Sequence, residues 1–426
     1  MLTLFLVALF AFVFLNVPIA FALILTAILL MYCTGAVSPA LLIQNVVRGI
    51  DSFPLMAIPF FMLSGEIMNA GGISRRIVLF AHALVGHVRG GLGYVTVLAS
   101  MIFAGVSGSA VADTSAIGSI LYPIMQQERY EPRKSAALFS AAGCIGPIIP
   151  PSIPMILFGV IGNVSIVKLF LGGIIPGVLI GVGLMVGWNL HARASGYAAG
   201  PRPSLRSVAR ATVDAFWALI LPAIILGGII FGVYTPTEAG VIATVYAFLV
   251  STLIYRELKL RDVPRILVAT ARSTAVVMLV CGAATAAAYY ITIAQVPEML
   301  MGTLVSLSGD RPAVFMLVVN VLLLLIGCVM DLTPALLIMA PMLLPIALKL
   351  GIDPVYFGVV MVVNLCIGLI TPPVGNVLYV GCGISKVKLT ELARAIAPNI
   401  LIMVVVLFLI TYLPWTITFI PNLVSR

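Results

Sequence analysis

Four acidic residues lie within otherwise apolar stretches of the chain, where a charge is costly and usually functional. They are Glu66, Asp113, Glu238 and Asp331. No lysine or arginine lies clearly within the same stretches to pair with them. Carboxylates in such places can bind a cation, carry a proton or, as a pair, act as an acid–base dyad. The neighbouring residues indicate which of these chemistries is favoured.

Hydroxyl groups and small residues surround Asp113 in the segment 105–125, which reads GVSGSAVADTSAIGSILYPIM. Small residues such as Gly108 allow helices to pack closely, but close packing does not require a carboxylate. Hydroxyl, carboxylate and free carbonyl oxygens are hard ligands of the kind that bind an alkali cation. The segment therefore predicts a re-entrant hairpin whose polar tip carries Ser107, Ser109 and Asp113.

The second half of the chain repeats this pattern. The interval from Asp113 to Pro123 equals the interval from Asp331 to Pro341. A fixed spacing that occurs twice indicates an internal repeat, with the two aspartates at equivalent positions. Because the repeat already accounts for the pair of aspartates, a catalytic aspartyl dyad is disfavoured and we expect no enzyme.

Two proline pairs interrupt helices at matching places in the repeat. They lie in IGPIIPPS at 145–152 and in IGLITPPVG at 367–375. Each proline removes a helical N–H donor, and the exposed carbonyls are tolerated in a membrane only where something satisfies them. One such pair could be a packing kink, but its recurrence favours a broken helix. Broken helices in corresponding halves indicate the binding site of a secondary transporter.

The composition places the chain in a membrane. Its 426 residues are 62% hydrophobic and 9% charged with a mean hydropathy of +1.22, whereas soluble domains are about 25% charged. About ten to twelve apolar segments are long enough to span a bilayer. The first is read as retained membrane structure, because it lacks the basic start of a signal peptide. We predict an all-α polytopic membrane protein.

The net charge of +9 lies in short loops between apolar runs. It therefore indicates membrane topology and not a nucleic-acid surface. The positive-inside rule places the loops 73–90, 129–134, 191–210 and 255–272 in the cytoplasm. The six cysteines contain no C-x-x-C pair and the three histidines have no ligand spacing, so we expect no structural metal site.

The repeat divides the chain into two halves joined by a basic cytoplasmic connector at 191–214. The first repeat, residues 1–190, is predicted to contain scaffold helices, a hairpin at about 103–126 and a broken helix at about 136–161. The second repeat, residues 215–426, would place its hairpin at about 326–348 and its broken helix at about 355–382. We expect the polar tips at 107–115 and 331–334 to converge near the bilayer midplane.

A cation-coupled transporter fits these features better than a channel, because a channel would show one pore-lining repeat and rings formed by oligomerisation. Proton coupling through Asp113 or Asp331 is an open alternative. So is a membrane scaffold or channel without a coupled site. Sodium-driven import of a small organic anion is the preferred hypothesis.

Several long strings resemble the large membrane subunit of the tripartite ATP-independent periplasmic (TRAP) transporters, the DctM family, over essentially the whole chain. The strings are SGSAVADTSAIGSI, GPIIPPSIP, TPTEAG, MDLTPALLIMAPMLLP and IGLITPPVGN. The resemblance implies two inverted repeats with re-entrant helical hairpins and broken helices, as in elevator-type members of the ion-transporter superfamily. It also implies a multi-pass protein of the bacterial inner membrane.

The resemblance further implies two sodium sites and a substrate site. One sodium ion would lie between Ser107 or Ser109 and the first helix break, and a second between Thr333 and the second break. The break positions involved would be Gly146, Ile149, Pro150, Gly368, Thr371 and Pro372. Substrate would be bound by Ser152, Asp113, Asp331 and Asn376. Sodium would be the coupling ion, and no other cofactor is expected.

The partners are implied by the same resemblance. A periplasmic binding protein would capture a sugar acid, keto acid or dicarboxylate and dock on the membrane subunits. A small four-helix TRAP membrane subunit and the lipid bilayer would complete the system, with both proteins as separate polypeptides. No arginine within a span is available to bind the carboxylate, so half-helix N-termini and bound cations would do so. Glu238, in TPTEAG, is expected to have a structural role.

Overall fold

The computed structural model describes the whole chain except residues 201, 297, 300–301, 303–310 and 425–426. Every regular element in the described part is helical, which confirms the all-α prediction. Seven of the described helices are long and apolar enough to cross a membrane. The α-helices, numbered here in chain order, are α1 (Leu2–Phe14), α2 (Ile19–Cys33), α3 (Pro39–Ile50), α4 (Ala57–Ala70), α5 (Ile73–Val85), α6 (Gly91–Ser107), α7 (Ala110–Gln127), α8 (Pro132–Gly143), α9 (Ile153–Gly162), α10 (Ile166–Ala194), α11 (Leu205–Ile230), α12 (Pro236–Leu249), α13 (Val263–Ile293), α14 (Pro312–Gly327), α15 (Leu332–Lys349), α16 (Pro354–Gly368), α17 (Asn376–Ser385), α18 (Leu389–Tyr412) and α19 (Trp415–Val424).

The first helices of each half pack together and form what we term the scaffold group, α1–α5 with α11–α13. Within it α4 packs along α12, α13 packs on α2 and α3, and α11 packs on α5. The start of α12 shows how local sequence sets such an element. Thr235 and Glu238 form a capping box, with Pro236 at the first helical position, where a missing N–H costs nothing. The carboxylate of Glu238 therefore has a structural partner.

The remaining helices form a second body, the hairpin group, α6–α10 with α14–α19. Here α7 packs on α8 and α17, α15 packs on α9 and α16, and α10 packs on α18 and α19. The scaffold group meets the hairpin group mainly where α5 contacts α6 and where α13 contacts α15. Each group thus draws helices from both halves of the chain.

The same order of elements occurs twice in the hairpin group. A two-helix hairpin (α6–α7, then α14–α15) is followed by an interrupted helix (α8–α9, then α16–α17) and a long helix (α10, then α18). The predicted range 103–126 covers the end of α6, the tip and nearly all of α7. The predicted range 326–348 covers the end of α14, the second tip and nearly all of α15.

The helix starts correct the alignment of the two repeats. Ser109 is the N-cap residue of α7 and Asp331 is the N-cap residue of α15, whereas Asp113 lies in the first turn of α7. When the two halves are aligned on these N-caps, Pro123 matches Pro345 and Gly146 matches Gly368. Each residue lies as many positions after the N-cap of its own half as its counterpart does in the other half. The counterpart of Asp331 is therefore Ser109, and the equivalence predicted for the two aspartates is wrong.

Candidate functional site

The tip of the first hairpin is built from three consecutive residues. The helix α6 ends at Ser107, Gly108 has a left-handed backbone with φ +62°, and the Ser109 hydroxyl accepts a hydrogen bond from Ala112 N at 3.4 Å. The hydroxyl of Ser107 accepts from Ser109 N at 3.2 Å and donates to Asp113 Oδ1. The tip therefore holds the carboxylate of Asp113 in one orientation.

The first interrupted helix breaks between Gly143 and Ile153. Its peptide bond between Pro150 and Pro151 is cis. Ser152 is the N-cap of α9: its hydroxyl accepts from Met155 N at 3.3 Å and donates to the carbonyl of Pro147. In the described part, the carbonyls of Gly146 and Ile149 accept no hydrogen bond. Buried carbonyls without a hydrogen-bond donor are available to a ligand.

The hairpin tip packs directly on this break, through glycines that leave no room for a side chain. A Cβ added to Gly146 would lie 2.1 Å from Asp113 Oδ2, and one added to Gly143 would lie 1.9 Å from Thr114 Oγ1. A Cβ on Gly108 would lie 2.7 Å from the carbonyl oxygen of Pro151. The carboxylate and a hydroxyl of α7 thus reach the backbone of the break.

Two of the buried oxygens at this contact have no partner. Asp113 and Thr114 are both fully buried, and Asp113 Oδ2 and Thr114 Oγ1 have no hydrogen-bond partner among the residues that the structure describes. The ion pairs of the described residues do not involve Asp113. A buried carboxylate is strongly disfavoured unless a cation or a proton neutralises it. The cluster has the oxygen ligands that suit a hard cation.

The second hairpin tip meets the second break in a similar way. A Cβ added to Gly368 would lie 2.6 Å from the Cα of Gly327, so these backbones touch. The N–H of Val374 donates to the carbonyl of Cys328 at 3.2 Å, and Asn376 Nδ2 donates to Asp331 Oδ1 at 2.9 Å. Each tip is therefore fastened to the break of its own repeat.

The two tip–break contacts differ in chemistry. The first break is almost wholly buried, while Pro372 and Pro373 of the second, also joined by a cis bond, are exposed. Asp331 has an amide partner, whereas one oxygen of Asp113 has none. The two aspartates are bonded to different residues, Ser107 and Asn376. They do not share the hydrogen bond that an aspartyl dyad requires.

A polar cavity of about 300 Å³ separates the first hairpin tip from the scaffold group. Ser107, Ser109 and Ser115 line its hairpin side. Its scaffold side is lined by polar residues of α4 and α13, namely Glu66, Asn69, Thr270 and Ser273. Its volume is in the range of sites for small organic ligands. The cavity is thus bordered by both helix groups and lies beside the tip of the first hairpin.

The predicted site residues fall into two separate sets. The first hairpin and break bring together Ser107, Ser109, Asp113 and Gly146, and only the two serines line the polar cavity. Ser152 is fully buried with its hydroxyl bonded inside the break. In the second set, Thr371 donates to Ile367 O at 2.7 Å, and the Thr333 hydroxyl has no partner among the described residues. The site assignments stay predictions.

Sequence reasoning missed four residues near these sites. Thr114 and Gly143 are absent from the predicted ligands, although both lie at the first break. Asn320 and Asn364 are also absent; Asn364 Nδ2 donates to Asn320 Oδ1 at 2.8 Å in the interior of the hairpin group. An asparagine within an apolar run was the available signal, since a buried amide needs partners.

Comparisons with known proteins agree with this architecture. The chain matches the family model described as "Tripartite ATP-independent periplasmic transporter, DctM component" over residues 6–416. It is 45% identical over 399 residues to the 2,3-diketo-L-gulonate TRAP transporter large permease protein YiaN of Escherichia coli, covering 94% of both chains. It is 38% identical to the sialic acid TRAP transporter large permease protein SiaM of Vibrio cholerae, covering 96% of both.

The fold is also found in a solved structure. The crystal structure of the YdaH transporter of Alcanivorax borkumensis superposes with a TM-score of 0.69 at 15% identity, covering 93% of this chain and 98% of that one. This likeness shows the fold, and the matches to the family model and to large permease proteins define an integral membrane transport protein, not an enzyme. More particularly, the chain belongs to the DctM family of large permease subunits of TRAP transporters, which are proteins of the inner membrane.

Proposed function

We propose that the chain is the large membrane subunit of a sodium-coupled importer of a small organic anion. One observation supports the coupling: Asp113 Oδ2 is buried beside the break at Gly146, and none of the described residues forms a hydrogen bond to it. A sodium ion at this point would neutralise the carboxylate and satisfy free carbonyls of the break. Ser107 would orient the carboxylate through its hydrogen bond.

A second sodium ion is proposed at the other tip–break contact. Thr333 has a free hydroxyl near the start of α15, and the carbonyls of Thr371 and Pro372 accept no hydrogen bond in the described part of the chain. Neutral oxygens alone bind a cation more weakly than a set that includes a carboxylate. We therefore expect the first site to have the higher affinity of the two.

The substrate is proposed to pass through the polar cavity beside the first hairpin. Its hydroxyl-rich wall suits an anion that carries hydroxyl or keto groups, in keeping with the diketo-gulonate named for the relative YiaN. Glu66 repels a carboxylate but accepts hydrogen bonds from hydroxyl groups. The bound sodium ion supplies the attraction for the anion's charge.

Two further proteins complete the proposed system. The large permease of a tripartite transporter would work with a small membrane subunit and a periplasmic binding protein that delivers the anion. Movement of the hairpin group against the scaffold group is the proposed transport step, since each group packs as a body and the polar cavity lies between them.

The first prediction tests the sodium site without a known substrate. Sodium at about a hundredfold its dissociation constant stabilises a protein by about 2.7 kcal/mol. The wild-type melting temperature in detergent should therefore rise when choline chloride is replaced by sodium chloride. In Asp113→Asn, which keeps the shape but removes the charge, most of that rise should be lost.

The matched control is Ser115→Ala, because Ser115 lines the cavity beside the same hairpin tip, whereas Asp113 and Thr114 are the residues that meet Gly146 and Gly143. Its sodium response should equal that of the wild type. A full sodium response in Asp113→Asn would remove Asp113 from the site.

Proton coupling is the second candidate, because a proton would also neutralise a carboxylate that is bonded to Ser107. It predicts that purified protein shows no sodium-dependent stabilisation. It also predicts uptake driven by a pH gradient in sodium-free buffer.

A further inference from the structure

A second cavity between the two helix groups differs from the polar one in chemistry. Its volume is about 370 Å³, and most of its lining is apolar. The hairpin group contributes Val160 of α9 together with Leu337 and Pro341 of α15. The scaffold group contributes residues of α3 and α13, including Ala284 and Thr285. The cavity therefore contacts both bodies that the proposed transport step moves.

Arg48 is the one charged residue among those that line this cavity. It lies in the last turn of α3, and within the described part of the chain it forms no ion pair. Ser52 lies beside it on the cavity wall. An unpaired guanidinium at an apolar cavity provides a binding point for an anionic group, because its planar donors match carboxylate and phosphate oxygens.

Close backbone contacts hold Arg48 in this place. A Cβ added to Gly49 would lie 2.5 Å from Thr285 Oγ1, and a Cβ added to Gly282 would lie 2.7 Å from the carbonyl oxygen of Val46. These glycines let α3 lie directly on α13. The end of α3 is thereby fixed against the scaffold, and its arginine borders the gap between the groups.

The surroundings of Arg48 suit lipid better than water. Its helix exposes Ile43, Val47 and Ile50, which are 64%, 57% and 38% exposed. Apolar side chains exposed along one short helix are typical of contact with acyl chains. Arg48 precedes α4, and the basic segment 73–90 follows it. The positive-inside rule places that segment in the cytoplasm, so Arg48 lies at the periplasmic face.

We propose that this cavity binds an acidic phospholipid, with its phosphate on Arg48 and part of one acyl chain between α9, α13 and α15. The apolar wall satisfies a hydrocarbon chain, whereas a polyhydroxylated anion would leave its hydroxyls without partners against Val160 and Leu337. A zwitterionic lipid adds a cationic group that Arg48 repels. The site therefore selects for a net negative headgroup.

Bound lipid would fill the space between the two helix groups. This consequence, unlike the binding itself, rests on the proposed function, because it assumes that the groups move relative to each other. Occupancy would favour the arrangement seen here and slow the exchange between states.

The test measures the lipid retained by the full-length protein, alone and with its small membrane subunit. Protein reconstituted into phosphatidylcholine nanodiscs that contain phosphatidylglycerol is re-extracted, and its lipid is quantified by mass spectrometry. The wild type should retain phosphatidylglycerol in preference to phosphatidylcholine. Arg48→Gln should lower that preference by about tenfold, as expected for loss of a charge-assisted contact. Arg48→Lys should keep most of it.

Two further variants separate the site from general surface charge. Ala284→Leu fills the cavity and should also remove the preference, while Arg75→Gln, at an exposed arginine outside this cavity, should leave it intact. Equal retention in Arg48→Gln and wild type would overturn the proposal. So would equal losses in Arg48→Gln and Arg75→Gln, or no preference in the wild type. None of these readouts depends on sodium coupling, so this proposal and the proposed function can fail separately.

Discussion

Because Gly146 has no side chain, the carboxylate of Asp113 can lie against the backbone of the first break. Any Cβ at this position would enter the space of the Asp113 carboxylate. The close contact with Asp113 therefore requires glycine at this position. The backbone conformation does not require it, because the φ of Gly146 is not positive. The same logic applies to Gly143 beside Thr114. At both positions, glycine leaves room for side-chain oxygens of α7 to lie against the backbone of the broken helix.

The second prediction concerns Gly146→Ala. The added methyl must displace the carboxylate or the break, which costs about 1–3 kcal/mol when a packed interior is overfilled. We expect a lower melting temperature and a weaker response to sodium, both measured by thermal unfolding in detergent. The control is Gly383→Ala in α17, where nothing lies within 4 Å of an added Cβ. That change should stabilise by up to about 1 kcal/mol. Equal behaviour of the two variants would contradict the contact.

Three helices of the hairpin group are joined by a buried polar network. Asn364 of α16 donates to Asn320 of α14, and Asn320 Nδ2 donates to Thr411 Oγ1 of α18 at 3.0 Å. Tyr356 OH donates to the carbonyl of Thr411 at 2.5 Å. Since α16 leads into the second break, this network fixes the helix that presents it.

The third prediction tests that network. Asn364→Ala leaves Asn320 Oδ1 buried without its donor, which costs about 1–3 kcal/mol. The melting temperature should fall, whereas most of the sodium response should persist, because the proposed site of higher affinity at the first break is not altered. Thr411→Val and the double variant with both changes complete a double-mutant cycle. The loss of stability in the double variant should differ from the sum of the two single losses. Strict additivity would show that Asn364 and Thr411 act independently.

At the scale of elements, the sequence predicts much of this arrangement. Proline pairs at 150–151 and 372–373 indicate both breaks, because two consecutive prolines remove two helical N–H donors and disfavour a continuous helix more strongly than the single prolines that lie within α7 and α15. The alignment of the repeats fails because Pro341 and Pro345 both lie in α15, and the spacing alone favours the wrong one. Only the helix starts show that Ser109 and Asp331 correspond. The contacts of Thr114 and Gly143 depend on packing between helices, which no local pattern records.

For the whole molecule, the division into scaffold and hairpin groups leads to the fourth prediction. Cysteines at Ser115 and Ser273, on opposite walls of the polar cavity, are joined by a bifunctional thiol reagent in a background without the six native cysteines. If the groups move against each other, a link made with a bifunctional methanethiosulfonate should stop transport, and reduction of its two disulfides should restore it. Transport that continues through the intact link would refute that movement.

The control for this experiment links two residues within one group. A Cβ at Gly381 would lie 3.7 Å from the Cβ of Ser140, a separation that suits a disulfide. Cysteines at Gly381 and Ser140 join α17 to α8, both in the hairpin group. Their disulfide should leave transport unchanged.

The most direct test of sodium coupling is uptake into proteoliposomes that contain the chain, its small membrane subunit and the loaded periplasmic binding protein. The substrate is the anion that co-purifies with the binding protein, and the inward sodium gradient is imposed or omitted. Sodium coupling predicts accumulation only with the gradient, and its loss in Asp113→Asn. Equal accumulation without sodium, or accumulation driven by a pH gradient alone, would contradict it.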